Sequence, residues 1–325
     1  MNFSMTALPA GYQIAAMTRD EAEVLVSWAA AEGWNPGHAD LEVAWGYDPA
    51  AFIALRFHHE GTDRPGELVG GGAILAYGDL AGFMGLFIMR PDHRGRGLGR
   101  VLWHERLRRL RLRLQPSAWI GMDGVFEMAP FYAAGGFQYL YRDLRYQGLA
   151  PSRASSTADA ATPLMGAVAH DMPDPSGLRL VPLGQLPFDE LQRYDQAVVG
   201  VARGEFLRRW VAVSGATGCA ALRSANAGAA TLVGYGVLRP CLVGYKLGPV
   251  FADDPATAHA IIHALIATCP GEQVQLDVPE PNTAAVDMAA ALGWTQTFGC
   301  ARMVYGAAPP ATHAQIFGVT SFEFG

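Results

Sequence analysis

One stretch of this chain constrains everything on either side of it. From Ala150 to Gly177 the sequence reads APSRASSTADAATPLMGAVAHDMPDPSG, rich in Ala, Ser, Pro and Thr and without a sustained period. That is the composition of a linker, not of a packed element. It divides 325 residues into two nearly equal parts, 1–149 and 177–325, with 150–176 between them. Each part is long enough to bury its own core. Half of the residues are hydrophobic and 17% are charged, which excludes a disordered chain. Lys and Arg number 24 against 30 Asp and Glu, and the net charge of −6 argues against nucleic acid as a main partner.

No apolar run reaches the roughly 18 residues that a membrane span needs. Met1 to Ala10 lacks a basic stretch followed by an apolar core, so no secretory signal is expected. The cysteines are Cys219, Cys241, Cys269 and Cys300, and none forms a CxxC pair. They read as small buried hydrophobes in a reduced, cytoplasmic protein without structural zinc.

Helices and strands alternate in the first part. Arg19 to Glu32 is an amphipathic helix on which Val24, Leu25 and Trp28 share a face. Ala51 to His58 and Glu67 to Tyr77 read as strands joined by a polar loop at Gly61 to Gly66. Gly82 to Met89 is a strand, followed by a Gly-rich turn and a long helix to about Leu114. Then come a strand at Trp119 to Gly124, a helix at Ala129 to Ala134 and a strand at Tyr139 to Tyr146. The second part repeats the pattern more faintly. Phe188 to Val199, Gly204 to Val213, Pro255 to Cys269 and Thr283 to Leu292 are helical. Cys219 to Arg223, Thr231 to Leu238, Val243 to Phe251, Val274 to Val278 and Ile316 to Phe324 are strands. Such alternation predicts an α/β fold in both parts.

The most informative segment is Met89-Arg90-Pro91-Asp92-His93-Arg94-Gly95-Arg96-Gly97-Leu98-Gly99-Arg100, between a strand and a helix. Its glycines let the backbone turn tightly with no Cβ to block a ligand. The helix that follows offers free N–H groups and the positive end of its dipole, an arrangement that binds phosphate. Arg94, Arg96 and Arg100 add charge of the right sign. The spacing is neither the dinucleotide fingerprint nor a P-loop.

The spacing Arg94-x-x-Gly97-x-Gly99 resembles the pyrophosphate loop of the GNAT family of acyl-CoA N-acyltransferases. Phe131-Tyr132-Ala133-Ala134-Gly135-Gly136-Phe137 is similar to that family's Tyr-x-x-x-Gly-Phe element. The resemblance implies two tandem GNAT-like domains, each a mixed, mostly antiparallel sheet flanked by helices. It implies acetyl-CoA as cosubstrate, with its pyrophosphate on Arg94, Gly95, Arg96, Gly97, Leu98, Gly99 and Arg100 and its pantetheine along Phe87, Ile88 and Met89. It implies Tyr132 as the acid that protonates the departing thiolate. It also places Trp34 and Asn35, in the turn after the first helix, at the acceptor site. One departure is visible: many members carry an Asn seven residues before the tyrosine, where this chain has Val125.

The second part looks like a divergent copy. Asn282-Thr283-Ala284-Ala285 and Gly293-Trp294 match the family pattern, but Ala289 stands where Tyr132 stands. Gly85 and Gly248 look equivalent. The second loop reads Ala252-Asp253-Asp254-Pro255, with two carboxylates and no glycine. Those charges would repel a pyrophosphate. Asp254 reads instead as a helix N-cap with Pro255 at the first helical position. The segments Tyr245 to Phe251, Leu276 to Glu280 and Phe317 to Glu323 resemble the C-terminal domain of a bacterial subgroup of tandem acetyltransferases, and Glu32 to Gly37 fits the same subgroup.

The expected function is acetyl transfer to a primary amine of a small molecule by direct attack on the thioester, with no metal. Glu21, Asp123 and Glu127 are equal candidates for the general base. The alternative is a non-catalytic acyl-CoA sensor or an interaction protein. Arg106, Arg108, Arg109, Arg111 and Arg113 read as the solvated face of the helix whose buried face carries Trp103, Leu107, Leu110 and Leu114. His259 and His263 have metal-ligand spacing but no third ligand nearby. The sequence leaves the oligomeric state open.

Overall fold

The computed structural model describes residues 8–59, 61, 66–152, 177–224, 230–307 and 311–325. Most of the linker stretch and of the Gly61 to Gly66 loop lies outside them. In the first half the order is β1 (Tyr12–Ala16), α1 (Arg19–Ala31), α2 (Asp40–Tyr47), β2 (Phe52–Phe57), β3 (Glu67–Tyr77), β4 (Ala81–Met89), α3 (Leu98–Leu112), β5 (Trp119–Gly124), α4 (Ala129–Ala134) and β6 (Gln138–Leu149). The second half runs β7 (Leu178–Pro182), α5 (Phe188–Val199), α6 (Gly204–Val211), β8 (Thr217–Arg223), β9 (Thr231–Pro240), β10 (Tyr245–Ala252), α7 (Pro255–Ile266), β11 (Gln273–Pro279), α8 (Thr283–Ala291), β12 (Thr295–Tyr305) and β13 (Ile316–Gly318).

Local chemistry accounts for the element ends. Thr18 and Glu21 form a reciprocal capping box at the start of α1. Its buried face is Ala22, Leu25 and Ala29, while Val24 is exposed, so the face is rotated from the expected one. Asp254 caps α7, its side chain accepting from the Thr257 N–H at 2.9 Å, with Pro255 in the first turn. Asn282 caps α8 in the same way.

Four elements were not foreseen: β1, α2, β7 and β12. The expected final strand at Ile316 to Phe324 is also shorter, since only Ile316–Gly318 pairs. The long last strand is instead β12, whose polar opening Thr295-Gln296-Thr297 hides the alternation that follows.

The strands among the described residues join in one 13-stranded sheet, ordered β1-β2-β3-β4-β5-β12-β6-β11-β10-β9-β8-β7, with β13 on β10. Most neighbours are antiparallel; β4–β5 and β10–β11 are parallel. The centre of this order is an exchange. β12 of the second half lies beside β5, and β6 of the first half lies beside β11. Each half's sheet is thus continued by a strand of the other.

Buried ion pairs cross this exchange. Arg145 on β6 grips Asp277 on β11 with bonds of 2.7 and 2.8 Å. Arg302 on β12 holds Asp123 on β5 at 2.7 and 2.8 Å and reaches Asp143 on β6 at 3.1 Å. Arg239 on β9 pairs with Asp40 on α2 at 2.8 Å.

Candidate active site

β4 and β5 pair only from Ala81–Phe83 to Trp119–Gly121, and beyond that point they part. A cavity of about 540 Å³ opens in the gap. Its walls are Met84 to Met89 of β4 and Met122 to Gly124 of β5. A bulge sharpens the divergence: Leu86 has φ +52°, and the register with β3 shifts there. Arg106 holds the bulge from behind. It is fully buried and donates from one Nη to the carbonyls of Ala73 and Gly85, both at 2.6 Å. Arg106 therefore does not belong to the solvated face of α3. It sits three residues after Trp103 and four before Leu110, on the buried stripe. Burial pushes its pKa down to about 9.

The Gly-rich loop stands at the cavity mouth. Gly95 and Gly97 have φ of +74° and +77°, and a Cβ on either would meet no protein atom within 4 Å. Gly97 is the N-cap of α3. None of the N–H groups from Gly95 to Gly99 has a hydrogen-bond partner among the described residues. The cradle thus combines left-handed glycines, free donors and a helix N-terminus, and it fits a pyrophosphate. Gly95, Gly97, Gly99, Arg94 and Arg100 border the cavity, as do Phe87, Ile88 and Met89. Leu98 points into the core and Arg96 lies outside the lining. Arg94 is held by the Met89 carbonyl at 2.8 Å and by Glu32 at 2.6 Å.

Tyr132 lies on the opposite wall, 4% exposed. Gly124 makes room for it, since a Cβ there would fall 2.4 Å from its ring. Burial pushes the phenol up to about 12, against a partial lowering by Arg106. It is a firmly protonated phenol at neutral pH. Cys300 also lines the cavity, and burial followed by the charge of Asp123 drives its thiol well above the usual range. A neutral thiol is a poor nucleophile.

Trp34 reaches the cavity and Asn35 does not. The Asn35 amide is spent on the other half: Nδ2 donates to the Val243 carbonyl and Gln275, and Oδ1 accepts from the Val243 N–H. Of the three base candidates, Glu21 is occupied by the capping box and by Arg56 at 2.6 Å. Glu127 is exposed outside the cavity. Asp123 borders the cavity, but both its oxygens accept from Arg302. Burial, with Asp143 beside it, raises its pKa well above the usual carboxylate range against the opposing charge of Arg302. Two further carboxylates line the cavity: Glu32, which is held by Arg94 at 2.6 Å, and Glu323 near the end of the sequence. A single acid inside the apolar run Phe322 to Phe324 is the signal that marks Glu323.

The equivalent gap in the second half is filled. β10 and β11 pair from Tyr245–Leu247 to Val274–Leu276, and β13 then docks on Val250 and Phe251. Val319 donates its N–H to the Asp277 carbonyl at 2.9 Å, closing the space. The acidic loop is satisfied internally. Asp254 binds Arg223 at 2.8 Å, and Asp253 accepts from Tyr194 at 2.9 Å and Gln315 at 2.8 Å.

His259 and His263 have ring centroids 4.0 Å apart. Among the described residues no group of three or more His, Cys, Asp or Glu is placed to hold a metal. No described helix is long and apolar enough to cross a membrane.

A sheet splayed between two parallel strands, with a Gly-rich cradle at its mouth, defines an acyltransferase architecture, and the comparisons with known proteins agree. Residues 17–137 match the acetyltransferase (GNAT) family model, and residues 191–318 match an acetyltransferase (GNAT) domain model. The chain belongs to the GNAT acyltransferase family and carries two such domains in tandem. It is similar to holothin acyltransferase of Pseudoalteromonas sp. (strain SANK 73390), 25% identical over 94% of this chain and 92% of that one. Two solved structures share the fold. A protein from Pyrococcus horikoshii described as an acetyltransferase has a TM-score of 0.71 at 20% identity, covering 100% of this chain and 99% of its own. A tandem GNAT protein from the clavulanic acid biosynthesis pathway has a TM-score of 0.58 at 16% identity, covering 92% and 99%.

Proposed function

We propose that the chain is an acetyl-CoA-dependent N-acetyltransferase acting on a primary amine of a small molecule. The observation that carries this reading is the open β4–β5 gap joined to the unbonded N–H groups from Gly95 to Gly99. The loop backbone, with Arg94, Arg96 and Arg100 around it, holds the pyrophosphate. The pantetheine runs along Phe87, Ile88 and Met89, one of whose amides stabilises the oxyanion that develops as the amine attacks. The attack is direct, which accords with a protonated, buried Cys300. Tyr132 supplies the proton to the leaving thiolate. Trp34 faces the acceptor. The name of the relative, holothin acyltransferase, supports acyl transfer.

We place the catalytic domain at 1–149 and a degenerate domain at 177–325, with 150–176 linking them. The protein works in the cytoplasm, where four buried thiols stay reduced. The test is release of free thiol from acetyl-CoA across a panel of small amines. Turnover with at least one amine is expected. Acetyl-CoA binding without release of thiol under any amine would make the protein a sensor.

A further inference from the structure

The second half contributes one carboxylate to the first half's cavity. Glu323 is 5% exposed and borders the cavity beside Phe298, Phe322 and Trp34. Its Oε2 is buried with no hydrogen-bond partner among the described residues. Its backbone is tightly seated. The Ser321 hydroxyl accepts from the N–H of Glu323 at 3.1 Å and of Phe324 at 3.0 Å. Tyr77 of β3 donates to the Phe324 carbonyl at 2.5 Å, and Arg203 of the second half donates to the Gly325 carbonyl at 2.9 Å. Both halves therefore fix the position of this carboxylate.

The charges around it explain why it tolerates burial and why it still lacks a donor. Arg145 on β6, Arg239 on β9 and Lys246 on β10 all feel the Glu323 charge. Arg145 pairs with Asp277 on β11, and Arg239 with Asp40 on α2. Lys246 donates to the carbonyls of Trp34 and Asn35. Two cations are thus matched by two carboxylates, and Lys246 balances Glu323 at a distance without bonding to it. Asp123, Asp143 and Arg302 form a separate network around Cys300. Charge is balanced, but Oε2 is left without a donor in a side chain that lines the cavity. A buried acceptor without a donor is what a ligand N–H group would satisfy.

We infer that Glu323 is the acceptor-site carboxylate, which binds the ammonium group of a primary amine with an aromatic or apolar body and takes its proton. This rests on the acyl-transfer reading above. The aromatic walls Phe298, Phe322 and Trp34 suit such a body, while Arg145 already lies over the Phe298 and Phe322 rings at 5.5 and 4.9 Å. The R–NH3+ group gives one proton to Glu323. The neutral amine then forms the C–N bond at the thioester carbon. As the C–S bond breaks, the thiolate takes the Tyr132 proton, and Tyr132 regains one from the new, still cationic nitrogen. The Glu323 proton leaves to solvent with product. The second domain thereby has a chemical task.

The test compares the parent with E323Q and E323D, using calorimetry for acetyl-CoA and kcat and KM for an amine found by the panel. E323Q keeps the shape and loses the charge. Acetyl-CoA affinity should stay within about twofold, while kcat/KM at pH 7 falls about 10²–10⁴-fold. The activity left in E323Q should climb with pH toward the amine's own pKa, about 10.4 for an alkylamine. E323D should recover part of the loss. A kcat/KM within about threefold of the parent, with the same pH profile, would overturn the assignment. Should no amine release thiol, binding of 2-phenylethylamine decides it separately. Binding to the parent and loss in E323Q would keep the carboxylate site while the transferase reading fails. Equal binding to both, or to neither, would overturn the site too.

Discussion

The backbone carbonyl of Glu323 lies against Gly85 so closely that a Cβ on Gly85 would fall 1.9 Å from it. Gly248, at the equivalent place in the second half, meets the same segment, its Cβ position lying 2.5 Å from the Val319 carbonyl and 2.6 Å from that of Thr320. One short stretch of chain is thus wedged against both copies of the same glycine. In the second half it plugs the gap; in the first it stops at the edge and leaves the cavity open.

Gly85→Ala follows from that contact. No flexible side chain is available to give way, since the obstructing atom is backbone. The C-terminal segment must shift, and overpacking of this kind costs about 1–3 kcal/mol. Calorimetric melting should show a lower Tm. An unchanged Tm would mean that the segment is not seated on Gly85.

Tyr132→Phe keeps the ring against Gly124 and removes only the hydroxyl. Loss of a general acid typically costs about 10²–10⁴-fold in rate. Turnover should fall by that much, with acetyl-CoA affinity little changed, as measured by steady-state kinetics beside calorimetry. Turnover within about twofold of the parent would leave Tyr132 a packing residue and hand the proton to another donor.

Local chemistry made the loop from Arg94 to Arg100, the helix cap at Asp254 and the shortness of α4 legible in the sequence. Each depends on a few neighbouring residues and on backbone rules that hold anywhere. The exchange of β6 and β12 was not legible. Strand alternation specifies a face and carries no information about which strand lies next in the sheet. The pairs that record it, Arg145–Asp277 and Arg302–Asp123, are 132 and 179 positions apart. The bonding of Asn35 was not legible for the same reason, because its partners lie in the other half. Arg106 was legible in principle. Its spacing put it on the buried stripe, and its charge argued for solvent; two backbone carbonyls at the β4 bulge decided the matter.

Asp277 supplies a prediction about acid. Burial alone would raise its pKa, but the charge and hydrogen bonds of Arg145 outweigh burial and hold it below the usual carboxylate value. A depressed folded-state pKa gives stability that is fully present above the unfolded value of about 3.9 and is lost as pH falls through the folded pKa. Asp40 behaves alike beside Arg239. Asp277→Asn leaves a buried guanidinium unpaired and should cost about 3–5 kcal/mol at pH 7. Its Tm should also depend less on pH below about 4 than the parent's does. Parallel Tm curves for the two proteins would show that the pair does not drive acid unfolding.

The last prediction concerns how many acetyl-CoA molecules one chain holds. The first half has left-handed glycines with unbonded N–H groups beside an open gap. In the second half β13 and Val319 occupy the gap, and Asp254 caps the helix start that would otherwise face a phosphate. Ala289 is fully buried where Tyr132 has its counterpart. Binding space, donors and acid are therefore all missing from the second copy. Titration calorimetry should count one site per chain. Gly97→Glu should remove that site, because the variant adds a carboxylate beside the pyrophosphate and forces a bulky residue to φ +77°. Circular dichroism would confirm that the variant is folded. Two sites in the parent, or one surviving in Gly97→Glu, would show that the second half binds acetyl-CoA in a different pose.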